Sequence, residues 1–187
     1  MTLQEMKRKV LGMIEELNPD STLLTDDPDI ATKINDVINQ IMFELARMKK
    51  ISKYVEMDVA AGDMVTFEDI EAAVGYVVYQ VGTVTGVDYM PRANGTILKM
   101  LGSGTAEIDC FVYPERIDNK TKDTAYEFEL SDDALEIMPY GVAAHLLMSD
   151  VSAENGRIYA DQYERMLQRL DPRYQIAAFV VDGGVNV

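Results

Sequence analysis

Apolar residues recur at helical spacing near the start of the chain. They stand three or four positions apart at Leu3, Met6, Val10, Met13 or Ile14, and Leu17. Thr2 and Glu5 match a capping box at the start of this run. The run predicts a helix that ends near Asn18-Pro19. Asp27-Pro28 then offers a second helix start, and the apolar spacing resumes from Ile34 to Met48. This pattern predicts a second helix of about 20 residues.

The pattern changes between residues 52 and 130 to short runs of β-branched and aromatic residues separated by glycine. These runs predict strands at Lys53–Val59, Val74–Val81, Thr83–Tyr89, Thr96–Met100, Ala106–Tyr113 and Tyr126–Leu130. The last two alternate strictly, which is typical of strands with one buried and one solvated face. Turns are predicted at Gly82, Gly86, Gly95, Gly102 and Gly104. We therefore predict a small antiparallel β-sandwich or barrel over residues 52–130.

Helical spacing returns after residue 130. Ser131-Asp132-Asp133 predicts a capped helix start, and Pro139 is expected to kink or restart that helix. Ser152 can cap a last helix that continues to Asp171-Pro172. The predicted fold class is therefore α+β, a discontinuous helical bundle formed by two helix pairs (residues 1–51 and 131–172), with an inserted β-domain (52–130) and a C-terminal arm (173–187).

Charge narrows the classes of function. The 187 residues include 17 Lys and Arg against 32 Asp and Glu, a net charge of −15, which argues against direct nucleic-acid or anionic-membrane binding. Residues 51–130 carry 6 basic and 14 acidic side chains and are the most acidic part. No apolar stretch approaches the roughly 20 residues of a membrane-spanning helix. The charged start, with Glu5 followed by Lys7, Arg8 and Lys9, does not resemble an export signal, so we expect an intracellular chain.

Candidate catalytic and metal-binding residues are few. One cysteine and one histidine cannot form a Cys/His zinc site. We expect Cys110 to be a buried, unreactive thiol and His145, among alanines and leucines, to be a hydrogen-bonded core or interface residue rather than a general base. The acidic run 26–29 lacks the glycine and glutamate of a calcium loop, and it predicts helix capping. No catalytic residue, metal or cofactor is predicted.

Two features leave alternatives open. The carboxylates of Glu107 and Asp109, and those of Glu127 and Glu129, share a strand face, which can be a solvated surface or a site for a cation or a sugar. The apolar segment Ile176, Ala177, Ala178, Phe179, Val180 and Val181 lies beyond the helix-stopping Pro172. It either adds a strand to a sheet, in this chain or a neighbour, or docks into a partner's groove.

The C-terminal part of the chain resembles a known family. The resemblance lies in Leu130 to Leu147 (LSDDALEIMPYGVAAHLL) and in the tyrosine-bearing stretch from Tyr159 to Arg173. An acid-capped helix with an internal proline and small and apolar residues, followed by a helix with tyrosines on one face, is similar to the head–tail adaptor (connector or head-completion) proteins of tailed bacteriophages. The N-terminal helix pair and the inserted β-region also fit that layout.

The resemblance implies a structural virion protein without enzymatic activity. Its subunits would form a ring, expected to be twelve-fold, between the portal and the tail, and DNA would pass through the ring without specific binding. The arm containing Ile176–Val181 would grip the portal protein, and tail or head-completion proteins would be further partners. The protein would be made in the host cytoplasm and reside in the virion neck. The alternatives are a carbohydrate- or calcium-binding β-module on a helical mount, and a small hydrolase that uses His145.

Overall fold

The computed structural model describes residues 1–18, 24–148 and 153–170. The chain is α+β, as predicted, and divides into two compact units. The helical unit comprises Met1–Lys49 and the chain from Arg116 onward, and the β unit comprises Lys50–Glu115. In chain order the elements are α1 (Leu3–Met13), α2 (Pro28–Met48), β1 (Ile51–Val59), β2 (Met64–Thr66), α3 (Phe67–Val74), β3 (Val78–Thr85), β4 (Tyr89–Arg92), β5 (Ile97–Met100), β6 (Gly104–Val112), α4 (Asp132–Met148) and α5 (Ala153–Leu170).

Side-chain caps fix the starts of the first two helices. The Thr2 hydroxyl accepts a hydrogen bond from Glu5 N, and the Glu5 carboxylate accepts one from Thr2 N at 2.8 Å, so the predicted capping box is confirmed. The Asp27 carboxylate accepts hydrogen bonds from the first turn of α2, with Pro28 as the first helical residue, as predicted.

Helix α1 ends four residues earlier than the apolar spacing predicts. Glu15 adopts a left-handed conformation with φ of 62°, and Glu16 N donates to Leu11 O at 2.9 Å. This is a Schellman-type termination, which usually places glycine at the left-handed position. The sequence prediction failed because glutamate gives no signal of such a stop, and Pro19 lies outside the described residues.

Helix α4 forms the centre of the helical unit, and most of its residues are buried. It is one continuous helix with Pro139 inside it, so of the two predicted effects of this proline, a kink or a restart, the restart is wrong. Two glycines bring α4 and α5 together: a Cβ atom at Gly141 would lie 2.8 Å from the Tyr163 ring, and one at Gly156 would lie 3.2 Å from Met148 N. This close approach makes α4 and α5 a tightly packed hairpin.

The predicted strand at Tyr126–Leu130 does not join the β-sheets. It lies in the helical unit beside the N-terminus, where Leu3 N donates to Tyr126 O and Phe128 N donates to Met1 O. Its alternation is nevertheless reflected in burial, since Tyr126, Phe128 and Leu130 are buried while Glu127 and Glu129 are exposed. The alternation of apolar and polar residues therefore predicts which side chains are buried, but it does not predict which element packs against them. Residues 116–130 therefore belong to the helical unit, in contrast to the predicted boundary of 52–130.

The β unit contains two antiparallel three-stranded sheets, ordered β1-β6-β3 and β2-β5-β4. Both sheets contribute buried residues to one hydrophobic core, including Leu98 and Met100 from β5 and Ile108 and Cys110 from β6. Helix α3 covers this core through Ile70, which is fully buried.

The structure departs from the sequence prediction at three places in this region. Residues 67–74 form α3, which the sequence analysis missed, although Thr66 and Asp69 form a capping box before it. The predicted strands Val74–Val81 and Thr83–Tyr89 form a single strand, β3, which continues through Gly82. Gly82 is not a turn residue: β3 shifts its register there, and a Cβ atom at Gly82 would lie 3.2 Å from the Phe111 ring.

Candidate functional site

The predicted partner-binding segment, Ile176, Ala177, Ala178, Phe179, Val180 and Val181, lies outside the described residues, as does the rest of the arm at 173–187. Among the described helices, none is long and apolar enough to cross a membrane.

His145 and Cys110, the two residues weighed for catalysis, belong to different units of the chain. His145 lies in the last turn of α4 with its side chain exposed, whereas Ala144 and Leu146 on either side are buried. The expected core position of His145 is therefore wrong, and an interface position stays a prediction. In the part of the chain described, no three His, Cys, Asp or Glu side chains come together in an arrangement that holds a metal ion.

Cys110 is a buried free thiol, as predicted. Its Sγ donates a weak hydrogen bond to Lys53 O, with a separation of 3.6 Å, across the β1–β6 pair. Burial, with a smaller contribution from the Asp109 charge, raises the pKa of the Cys110 thiol. A raised pKa keeps the thiol protonated, which makes it a poor nucleophile.

Four carboxylates lie on the outward face of the β1-β6-β3 sheet. They belong to Glu56 and Asp58 on β1 and to Glu107 and Asp109 on β6. We call this surface the carboxylate face. Glu56 and Glu107 are directly opposed in the strand register, an arrangement of like charges that destabilises a sheet.

Each of these carboxylates accepts a hydrogen bond from a hydroxyl on a neighbouring residue or strand. The donors and their distances to the acceptor oxygen are Tyr54 to Glu56 (2.8 Å), Thr105 to Asp58 (2.8 Å), Thr85 to Glu107 (2.8 Å) and Thr83 to Asp109 (2.7 Å). The hydroxyls orient the carboxylates without neutralising them, so the face keeps its negative charge.

The pKa of Tyr54 is raised by its position on the carboxylate face. Its hydrogen bond to Glu56, together with desolvation and the charges of Glu107 and Asp109, raises the pKa of Tyr54 to about 12. The phenol therefore stays protonated at neutral pH and remains a donor to Glu56. Tyr54 is 53% exposed, which places an aromatic residue at the surface beside the carboxylates.

A polar groove of about 580 Å³ lies beside α2 in the helical unit, lined by residues of α2 and by residues 116–119. Asn39 of α2 fixes the position of residues 116–119 through two hydrogen bonds. Its side-chain amide donates to Ile117 O at 2.8 Å and accepts from Ile117 N at 2.9 Å. Asn35 also lines the groove, and its Oδ1 is buried without a hydrogen-bond partner among the described residues. The groove can accept a hydrogen-bond donor, and neither His145 nor Cys110 is among the described residues that line it.

Sequence reasoning found the shared face of Glu107 and Asp109 but missed the hydroxyls of Thr83, Thr85 and Thr105, because their strand partners depend on the sheet order. It also missed Asn39, which carries no signal beyond a polar residue within an apolar helix stripe. Neither a protein-family model nor a curated protein matches this chain.

Proposed function

We propose that this chain is a structural protein of the neck of a tailed bacteriophage, a head–tail adaptor that forms a ring between portal and tail. The observation that carries the proposal is the helical unit assembled from both ends of the chain. The described residues of the stretch that resembles the adaptors include helices α4 and α5, which pack against each other, and α1 and α2 pack against α4. The β unit is inserted between these helix pairs.

The charge distribution supports passage of DNA through such a ring without binding. The β unit carries 4 basic and 10 acidic residues, and the helical unit carries 13 and 22. Because both units are acidic, a wall built from either repels phosphate on average, whereas a basic wall would retain the duplex. The proposed partners are further copies of this chain, the portal protein, and tail or head-completion proteins.

The arm at residues 173–187 is proposed to grip the portal through the apolar segment Ile176–Val181. The test uses purified chain mixed with capsids that carry the portal protein encoded in the same genome, followed by sedimentation. We expect the full chain to sediment with the capsids and a chain lacking Gln175–Val187 to stay in solution.

A shorter deletion of residues 183–187 serves as the matched control, since it removes the glycine-rich end and keeps the apolar segment. We expect this variant to sediment like the full chain. Equal sedimentation of the chain lacking Gln175–Val187 would contradict the role given to the arm, and the full chain remaining in solution would contradict the adaptor function.

The alternative of a calcium-binding β-module makes an opposite prediction for thermal stability. A ligand that binds only the folded chain raises the melting temperature by mass action. We expect millimolar calcium to leave the melting temperature of the full chain unchanged. A rise that saturates with calcium concentration would favour the binding module over the adaptor.

A further inference from the structure

In the β unit, the solvent-exposed faces of the two sheets point in different directions. Both sheets direct buried side chains into the same core, for example Leu98 from β5 and Ile108 from β6. Their opposite faces must therefore look away from that core in different directions. The unit thus presents two separate sheet surfaces to its surroundings.

The outward face of the β2-β5-β4 sheet is apolar and cationic. Lys99 on β5 lies between Met64 of β2 and Met90 of β4 in the strand register, and Arg92 follows Met90 on the same side of β4. Met64 is 53% exposed and Met90 is 40% exposed. We call this surface the methionine–lysine face. Exposed methionines are typical of surfaces that adapt to a partner.

The basic residues of the β unit are distributed unevenly. Lys50 Nζ lies 4.2 Å from the centre of the Phe111 ring, and Lys53 Nζ lies 4.1 Å from the centre of the Tyr76 ring. Arg92 and Lys99, the other two, both lie on the methionine–lysine face. Within the described part of the chain, neither forms an ion pair with a carboxylate.

The carboxylate face has the complementary properties. Glu56 and Glu107 oppose each other, neither forms an ion pair within the described residues, and the exposed Tyr54 lies beside them. A lysine from outside would relieve the repulsion between the two glutamates, and a methionine sulfur packs favourably against an aromatic ring.

We propose that the methionine–lysine face of one copy of this chain docks on the carboxylate face of the next copy. The occupant is a second copy because the same unit carries both halves of the contact, opposite in charge and on different sides. Two different patches in contact make a heterologous interface, which closes into a ring when the rotation between copies permits it. The proposal rests on the adaptor function proposed above and names the surfaces through which its ring is built.

A charge swap tests this contact. The full chain is examined by sedimentation velocity from about 1 μM to about 1 mM, a range that covers weak contacts between subunits. We expect the wild-type chain to associate with rising concentration and Lys99→Glu to weaken that association about tenfold or more. The double variant Lys99→Glu/Glu107→Lys restores an attractive pair across the same contact and is expected to regain most of the association.

Lys120→Glu is the matched control, since it makes the same change in net charge at an exposed position of the helical unit. We expect it to associate like the wild type, and circular dichroism checks that every variant is folded. The proposal is overturned if the wild type stays monomeric across the range, if Lys99→Glu behaves like Lys120→Glu, or if the double variant fails to recover.

Capsid sedimentation separates this contact from the adaptor function. If the wild type sediments with portal-bearing capsids but Lys99→Glu associates in solution like Lys120→Glu, only the contact proposed here is lost, because the adaptor function needs the arm and not this contact to hold a subunit on the portal. If the wild type fails to sediment with them, the adaptor function itself is lost.

Discussion

The ring of Tyr163 in α5 lies directly against the backbone of Gly141 in α4. A Cβ atom at Gly141 would be 2.8 Å from Cε2 of that ring, closer than real Cβ contacts allow. The Tyr163 side chain is buried, and burial, followed by the nearby charge of Glu44, raises the pKa of its phenol. The α4–α5 hairpin therefore depends on the absence of a side chain at position 141.

Gly141→Ala is expected to lower the free energy of unfolding by about 1–3 kcal/mol, because the added methyl group must displace the Tyr163 ring in a packed interior. Gly12→Ala is the control. It lies in α1 with no atom within 4 Å of the added Cβ, so the better helix propensity of alanine should stabilise it by about 0.5–1 kcal/mol. Urea unfolding measures both, and equal stability of the two variants would contradict the close packing.

Asn39→Ala is expected to destabilise the helical unit by about 2–4 kcal/mol. The substitution leaves the backbone N–H and C=O of Ile117 buried without the partners that the Asn39 side chain provides, and each such group costs about 1–3 kcal/mol. Asn119→Ala, at an exposed position two residues along the same connection, should change stability by less than about 0.5 kcal/mol. Thermal unfolding of the two variants checks this, and an effect of Asn39→Ala no larger than that of Asn119→Ala would contradict the stabilising role of the Asn39–Ile117 hydrogen bonds.

Glu15→Gly is expected to raise the free energy of unfolding by about 0.5–1 kcal/mol. Glutamate is strained at φ of 62° and adds a negative charge at the end of α1, whereas glycine adopts this conformation without strain. Glu16→Gly is the comparison, because it removes a negative charge at the same helix end from a residue without a positive φ, where glycine only increases the chain entropy of the unfolded state. If both variants lose stability in urea unfolding, α1 does not end in a left-handed residue.

Three hydrogen-bonded carboxylates predict how stability depends on pH. Hydrogen bonds from Thr66 lower the pKa of Asp69, and similar bonds lower the pKa of Glu5 and of Asp118. A carboxyl whose pKa is lower in the folded state contributes its stability above the unfolded pKa and loses it as the pH falls through the folded pKa. The melting temperature should therefore fall as the pH drops below about 4.

Asp69→Asn removes one of these groups, and its melting temperature should fall less steeply between pH 5 and about pH 2 than that of the wild type. Glu68→Gln removes a charge from the same turn of α3 without touching the Thr66 hydrogen bonds, and it should keep the wild-type acid dependence. An unchanged slope for Asp69→Asn would show that the capping box does not contribute to the acid dependence.

Local signals in the sequence predicted the helices best where a cap and an apolar stripe coincide. Helix α2 begins at Pro28 and ends at Met48, where the pattern placed it, because Asp27 and the stripe specify the same start. Helix α3 was missed because eight residues are too few for a clear periodicity, and its Thr66–Asp69 cap lies within a region of strand-like residues.

The sheet partners could not be predicted from the sequence, because alternation shows which side chains are buried and not what buries them. Phe128 and Ile108 lie in equally regular alternating runs, yet the first packs in the helical unit and the second in the β core. The hydroxyls of Thr83 and Thr85 reach Asp109 and Glu107 only because β3 lies beside β6. The candidate surfaces therefore depend on long-range pairing that no local spacing specifies.

The most direct test of the adaptor function is cryo-electron microscopy of portal-bearing capsids after incubation with the purified full chain. The adaptor function predicts a closed ring of additional density at the portal vertex, coaxial with the portal channel, that is absent from capsids incubated without the chain. Capsids that show no added density at the portal, or that carry the chain scattered over the shell, would contradict it.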